Sequence, residues 1–378
     1  MSFVFLFTVL LSLCYVGLIG AFTIAWPKTI TIKSASPVTL PSITVIIPVR
    51  NEEHVIESCL GKIISQLYPS GLVEIIVVDD HSTDRTAEAV QHFIDNNDIK
   101  KQIRLIHSKP STGKAFKKNA INQAIHLAKG DLIITTDADC EARPQWLLSI
   151  GNFYGATGCK MITGPVVYHK DHTLLGKMQT LEFISLVASG ASSLNLGLPL
   201  MCNGANLTFE KDAFFKVKGY EDNAHIPSGD DTFLMMKLQK EYPGKVRFIA
   251  DPQAMVYTEA VNSLSGFVNQ RKRWSSKTKH YKSFYIKSVA VLILLLNFLI
   301  LAFLGAYVIK GLFLKELMFL LLSKSVIDIV FLSRPLVFFK RRDLLIYFLP
   351  SQFLYPFYVV FIGLMAQWGT YKWKERKI

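Results

Sequence analysis

Apolar residues gather at the two ends of the chain and in short runs between them. From Phe3 to Trp26 no charge interrupts a stretch long enough to cross a bilayer. Ser288 to Ile309 is a second such stretch, and Leu344 to Tyr371 a third, broken by Pro350 and Pro356. Between these two, Leu317 to Ser333 is apolar except at Lys324 and Asp328, which stand four apart on one helical face and are spaced to pair, so it reads as the third span of four. The first stretch lacks the basic start and short apolar core of a cleaved signal, so it reads as a retained anchor. The expected organisation is an anchor at 1–27, a soluble domain at 42–284, and a membrane region of two to three spans at 285–371.

The pattern between the ends is different. Ile43 to Val49 is a short apolar run followed by a polar, helix-like stretch from Glu52 to Gln66. Val73 to Asp79 repeats it, with a helix from about Asp84 to Ile94. Ile103 to His107, a helix over Gly113 to Lys129, and Asp131 to Thr136 continue the alternation. This predicts an α/β domain with a parallel, doubly wound sheet, in which ligands bind beyond the carboxyl ends of the strands. Polar clusters follow three of the strands at that edge: Pro48 to Glu52, Asp79 to Ser82, and Asp137 to Asp139. The domain divides into 42–140, the regular half, and 141–284, the less regular one.

Charge adds an orientation. The 378-residue chain is 50% hydrophobic with formal net charge +13. Arg334, Lys340, Arg341 and Arg342, and the Lys-rich stretch Lys277 to Lys287, belong on the cytoplasmic side of a multi-pass protein, such as one of the cell inner membrane. The domain between the spans is then cytosolic. A full last span would put the basic tail Lys372 to Lys377 outside, so that segment reads as re-entrant or interfacial. The positive balance suits an anionic lipid surface; without zinc-finger spacing or an aromatic RNA-binding signature, nucleic acid is not an expected partner. Five cysteines without CxxC spacing point to a reduced domain, and no histidine pair has metal-binding spacing, so zinc is not indicated.

Asp137 and Asp139 follow an apolar strand, and side chains two apart on a strand share a face. Two carboxylates there fit a hard divalent cation that completes its shell with water and substrate phosphates, which points to a nucleotide diphosphate. Asn203, Gly204 and Asn206 combine close backbone approach with amides that can bond sugar hydroxyls. Gln270, Arg273 and Trp274 share one helical face; Arg273 can neutralise a diphosphate, and an indole is a platform for a sugar ring. The competing reading of that segment is a basic amphipathic helix docked on the membrane.

The strings ITVIIPVRNEE, IIVVDDHSTDRT and GKAFKKNAINQAIHLAKGDLIITTDAD, then CNGANLTFEKDAFFKVKGY, GDDTFL and QRKRW, closely resemble family 2 glycosyltransferases of the GT-A fold, over about Ser42 to Trp274. The resemblance implies that Pro48, Arg50 and Glu52 line the nucleotide, that Asp79 and Asp80 contact uracil and ribose, and that Lys114, in the family's recurrent Gly-Lys, reaches phosphate. It implies that Asp137 and Asp139 hold the ribose and a Mg²⁺ or Mn²⁺ ion. It sets Asn203 to Asn206 beside the acceptor and makes Asp231 the general base supported by Asp230, neighbouring carboxylates raising each other's pKa. The implied activity is an inverting transfer from a nucleotide sugar, a UDP-sugar foremost, to a polysaccharide or glycolipid acceptor. The QxxRW pattern with flanking spans is similar to polysaccharide synthases, and the same motif occurs in enzymes resembling ceramide glucosyltransferase, which add one sugar to a lipid. A catalytically silent membrane scaffold or export component is the alternative from another class.

Overall fold

The uncharged start of the chain forms one helix, α1 (Phe3–Ala25). The computed structural model describes residues 3–29, 39–97, 102–109, 115–365, 372–373 and 376–377. Four apolar runs form β1 (Ile43–Val49), β2 (Val73–Asp79), β3 (Ile103–His107) and β4 (Leu132–Thr135), parallel to one another in the order β3-β2-β1-β4. Alternation along these strands divides them between two cores. Ile46, Ile76 and Val78 enter one; Val45, Ile47, Ile75 and Val77 enter the other. Three helices connect the strands: α2 (Ile56–Ile64), α3 (Thr86–Asn96) and α4 (Phe116–Leu127). Helix α2 buries Ile56, Cys59, Leu60 and Ile63, the i, i+3, i+4, i+7 stripe of an amphipathic helix.

The sheet is not parallel throughout, which corrects the sequence expectation. After β5 (Glu141–Ala142), helix α5 (Trp146–Thr157), β6 (Met161–Thr163), β7 (Val166–His169) and the 22-residue α6 (Leu174–Asn195), the strand β8 (Leu207–Glu210) returns antiparallel against both β4 and β6. Helices α7 (Lys211–Lys216) and α8 (Asp230–Glu241) follow, then β9 (Val246–Phe248), parallel to β6, completing a seven-stranded sheet. A three-stranded sheet, β5-β10-β7 with β10 at Val256–Glu259, lies beyond it, and helix α9 (Leu264–Ser276) leads to the membrane region.

That region consists of α10 (Phe284–Lys310), α11 (Leu314–Phe338) and α12 (Phe348–Met365). Among the described residues, three segments are long and apolar enough to cross a membrane: Phe3–Ala25, Phe284–Lys310 and Arg342–Met365. Helix α11 carries more charge but runs beside α1 in the same direction, with Ser12 against Ser323, Tyr15 against Asp328, Phe22 against Phe331 and Trp26 against Phe338. Its Lys324 pairs with Asp328 at 2.6 Å and reaches Gln352 Oε1 at 2.6 Å, so the charge is neutralised inside the bundle. Trp26 also meets Phe248 of β9, and one core continues from the sheet into the helices.

Candidate active site

At the carboxyl edge of β1, β2 and β4 a cavity of about 130 Å³ is lined by Pro48, Arg50, Glu52, Asp80, Lys117, Asp137, Asp139 and Arg273. Strand β4 stops at Thr135, and the aspartate triplet forms a turn closed by the Cys140 N–H on the Asp137 carbonyl at 3.1 Å. Ala138 tucks into the core, while both aspartates line the cavity. Arg50 is aimed by the Asp80 and His81 carbonyls, the former at 2.9 Å. Asp79 stays outside the cavity lining: its Oδ1 accepts from the Ser82 N–H at 3.2 Å and its Oδ2 faces His107 at 3.2 Å. Asp80 is the lining member of the pair and also accepts from the Ser108 hydroxyl at 3.2 Å. Lys114 lies outside the described residues.

Lys117, on the first turns of α4, joins this cavity to the second carboxylate pair. Its ammonium sits 2.5 Å from Asp137 Oδ1. Burial would discharge it, but Asp137 and Asp230 hold its pKa above the ordinary lysine value. Asp230 and Asp231 open helix α8 behind Gly229, whose φ of +82° is the left-handed conformation glycine permits. The helix N-terminus favours negative charge there.

The two carboxyls are unequal. Burial, with Asp231 nearby, raises Asp230 above the usual carboxylate range against the pull of Lys117. Burial would raise Asp231 too, but the Lys277 ammonium at 3.5 Å and the Thr232 N–H at 2.6 Å bring it below that range. Mutual repulsion is present, and Lys277 outweighs it at Asp231.

The Asn203 to Asn206 segment splits. Asn203 caps the Ala205 N–H at 2.9 Å. Gly204 passes so close that a Cβ there would stand 3.3 Å from Asp230 Oδ2, tighter than ordinary contact, so a side chain would press on that carboxylate. Asn206 does not face an acceptor: it is 1% exposed, accepts from Trp146 Nε1 at 3.0 Å and donates to the Pro165 and Ala254 carbonyls at 2.9 and 2.8 Å. Its bonding capacity is spent within the core, which removes it from the acceptor site.

On α9, Arg273 lines the cavity with the aspartates. Gln270 accepts from Arg271, and Trp274 is half-buried against Phe183. Arg271 itself was not singled out by sequence. It is 2% exposed, bonded to Glu182 of α6 at 2.7 Å, and stacked over Phe267 and Trp274 at 4.6 and 4.3 Å. Only the basic run around it hints at a role, and nothing in that run tells Arg271 from Lys272.

Among the described residues no three His, Cys, Asp or Glu side chains gather to hold a metal unaided. The donors present are carboxylate oxygens; the thiols of Cys59 and Cys140 are pushed up by burial and stay protonated. The Asp137 and Asp139 carboxylates are the donor type a hard divalent ion takes when it shares its shell with phosphate, and the Lys117 ammonium now against Asp137 Oδ1 would share that carboxylate with it.

Residues 44–214 match the description Glycosyl transferase family 2, and residues 132–367 match Glycosyl transferase family group 2. Poly-beta-1,6-N-acetyl-D-glucosamine synthase of Staphylococcus aureus (strain COL) is 28% identical over 284 residues, 70% of this chain and 65% of that protein. The chain thus spans just under two thirds of that relative's length. "Probable glycosyltransferase YdaM" of Bacillus subtilis (strain 168) is 28% identical over 240 residues, 62% of this chain and 55% of that one. Among solved structures, the mannosyltransferase PcManGT from Pyrobaculum calidifontis, in complex with GDP-Man and Mn2+, superposes with TM-score 0.58 at 17% identity, covering 96% of this chain and 98% of that one. That likeness is one of fold, the GT-A arrangement with its sheet and flanking helices.

Proposed function

The chain belongs to glycosyl transferase family 2, and from that premise we propose that it is a membrane-embedded, metal-dependent, inverting transferase that moves a sugar from a UDP-sugar onto a growing polysaccharide. The observation that carries this reading is Lys117, whose ammonium pairs with Asp137 in the donor cavity and stands close enough to Asp230 to be held charged by it. Donor-binding and proton-accepting carboxylates thereby belong to one site.

In this reading the uridine diphosphate lies along Pro48, Arg50, Glu52 and Asp80, with Lys117 and Arg273 supplying positive charge to the departing diphosphate. Asp137 and Asp139 would hold Mg²⁺ or Mn²⁺, which when bound offsets negative charge on the two phosphates. Asp231, kept ionised by Lys277 and Thr232, takes the proton of the acceptor hydroxyl. The hydroxyl oxygen bonds to the anomeric carbon from the face opposite the diphosphate as the carbon–oxygen bond to phosphate breaks, and the configuration inverts. Gly204 leaves room for the acceptor beside Asp230, and Gln270 and Trp274 would bind the acceptor from α9.

The kinship to a Staphylococcus aureus polysaccharide synthase supports a polymer product. Membranes carrying the full-length chain, incubated with a panel of labelled UDP-sugars, are expected to release UDP and form label that stays with polymer after lipid extraction. Label confined to the lipid extract would replace the polymer with a single sugar on a membrane lipid. Absence of turnover with every UDP-sugar, while UDP still binds, would leave a silent scaffold.

A further inference from the structure

Away from the donor site, a cavity of about 900 Å³ opens where α1 and α11 end side by side. Trp26, Ile329, Val337 and Leu345 give it an apolar wall, and Lys28, Arg334 and Arg342 also line it. Among the described residues, no acid lines it. None of the three cations has a hydrogen-bond or ion-pair partner through its side chain among the described residues. The nearest acid in sequence, Asp343, is taken by Arg341 and Lys177. Residues 28–42 contain no acid at all.

Three like charges beside an apolar wall repel one another, and an anion relieves that repulsion. A small soluble anion would satisfy the charges and leave the wall wet. A molecule with an anionic head and an apolar tail satisfies both. The position agrees: Lys28 and Arg342 stand at the ends of segments long and apolar enough to span a membrane, Arg334 lies near the end of α11 beside them, and Trp26 is the aromatic expected at the level of lipid headgroups. The volume also suits a ligand-sized occupant rather than a few waters.

We propose that this cavity binds one acidic phospholipid, its phosphate among Lys28, Arg334 and Arg342 and an acyl chain along Ile329, Val337 and Leu345. The site rests on the membrane reading of the helices and not on the transfer chemistry, so it stands or falls separately from the donor site. Through Trp26 and Phe248 its occupant also braces the junction between the bundle and strand β9.

The full-length protein, delipidated in neutral detergent, tests this by retention of added phosphatidylglycerol, phosphatidylcholine or inorganic phosphate, read by native mass spectrometry and thermal melting. Phosphatidylglycerol should be retained at one per chain and raise the melting temperature, and the other two should do neither. In the Lys28→Gln, Arg334→Gln, Arg342→Gln variant its retention should weaken on the order of a hundredfold, since each cation near an anionic headgroup contributes roughly fivefold. A variant with equal charge loss on the soluble domain, Lys216→Gln, Lys240→Gln, Lys245→Gln, should bind as the wild type does. Equal retention of phosphatidylcholine, equal protection by phosphate, or equal weakening in the control variant overturns the proposal. Should the cavity variant not fold, brominated phosphatidylglycerol added to the wild type decides it. Quenching should saturate near one lipid per chain and lose that component in Trp26→Phe; matching quenching by brominated phosphatidylcholine overturns the site.

Discussion

Lys117 and Lys118 are adjacent on α4, and their charges do opposite things. Lys117 points to Asp137 and the donor cavity. Lys118 turns inward, donates to the Asn223 and Ile226 carbonyls at 3.0 and 2.9 Å, and is pushed down to about 8 by burial. Sequence supplied a lysine-bearing helix without distinguishing the two, because the difference lies in which loop each meets. Lys117→Met should weaken UDP binding about tenfold, the lower range for a charged hydrogen bond lost. Unchanged UDP affinity, measured by calorimetry on the purified protein, would make Lys117 only a counter-ion for Asp137. Asp137 and Asp139 were legible as a carboxylate pair where an apolar strand ends, and Asp230 and Asp231 only through the resemblance carried by GDDTFL. Asn206 was misread because its partners, Trp146, Pro165 and Ala254, are brought to it by tertiary folding. Local sequence contains no sign of them.

At the scale of elements, the first four strands were readable because a strand buried on both faces is a continuous apolar run. Strands β6, β8 and β9, of three to four residues each, are too short to show a period, so the antiparallel half of the sheet was not foreseen. Helix α9 shows what the elements do for the site. Arg271 ties it to α6 through Glu182, and Glu182 also accepts from Tyr358 of α12 at 2.7 Å. The helix carrying Arg273 and Trp274 is thus anchored to the bundle by a buried ion pair. Arg271→Met should destabilise the protein by about 3–5 kcal/mol, the cost of leaving a buried partner uncompensated. Glu182→Gln added to it should recover part of that loss. Thermal melting of the two single variants and the double variant checks the cycle, and additive losses would show that the pair does not act as a unit.

At the scale of the whole molecule, the apolar pattern read Leu317 to Ser333 as the third of four spans, but it did not show what offsets the charges of α11. Its Lys324 and Asp328 count against a span until Tyr15 and Gln352 are seen to close the network around them. With α1 and α11 running the same way, and basic residues where α11 ends and α10 begins, we propose that the catalytic domain lies on the cytosolic face. A cysteine placed at Glu88, exposed on α3, in a Cys14→Ser background should escape a membrane-impermeant thiol reagent in intact cells and react after lysis. Labelling before lysis would reverse the orientation. The central claim is that the donor cavity and the α8 carboxylates form one inverting site in which binding and proton transfer are separable. Asp231→Asn tests it most directly when UDP affinity and sugar transfer are measured on the same membrane preparation. The expected result is UDP affinity near the wild-type value with transfer reduced at least ~100-fold, the lower end of a general base's contribution. Transfer at a near-normal rate would contradict it.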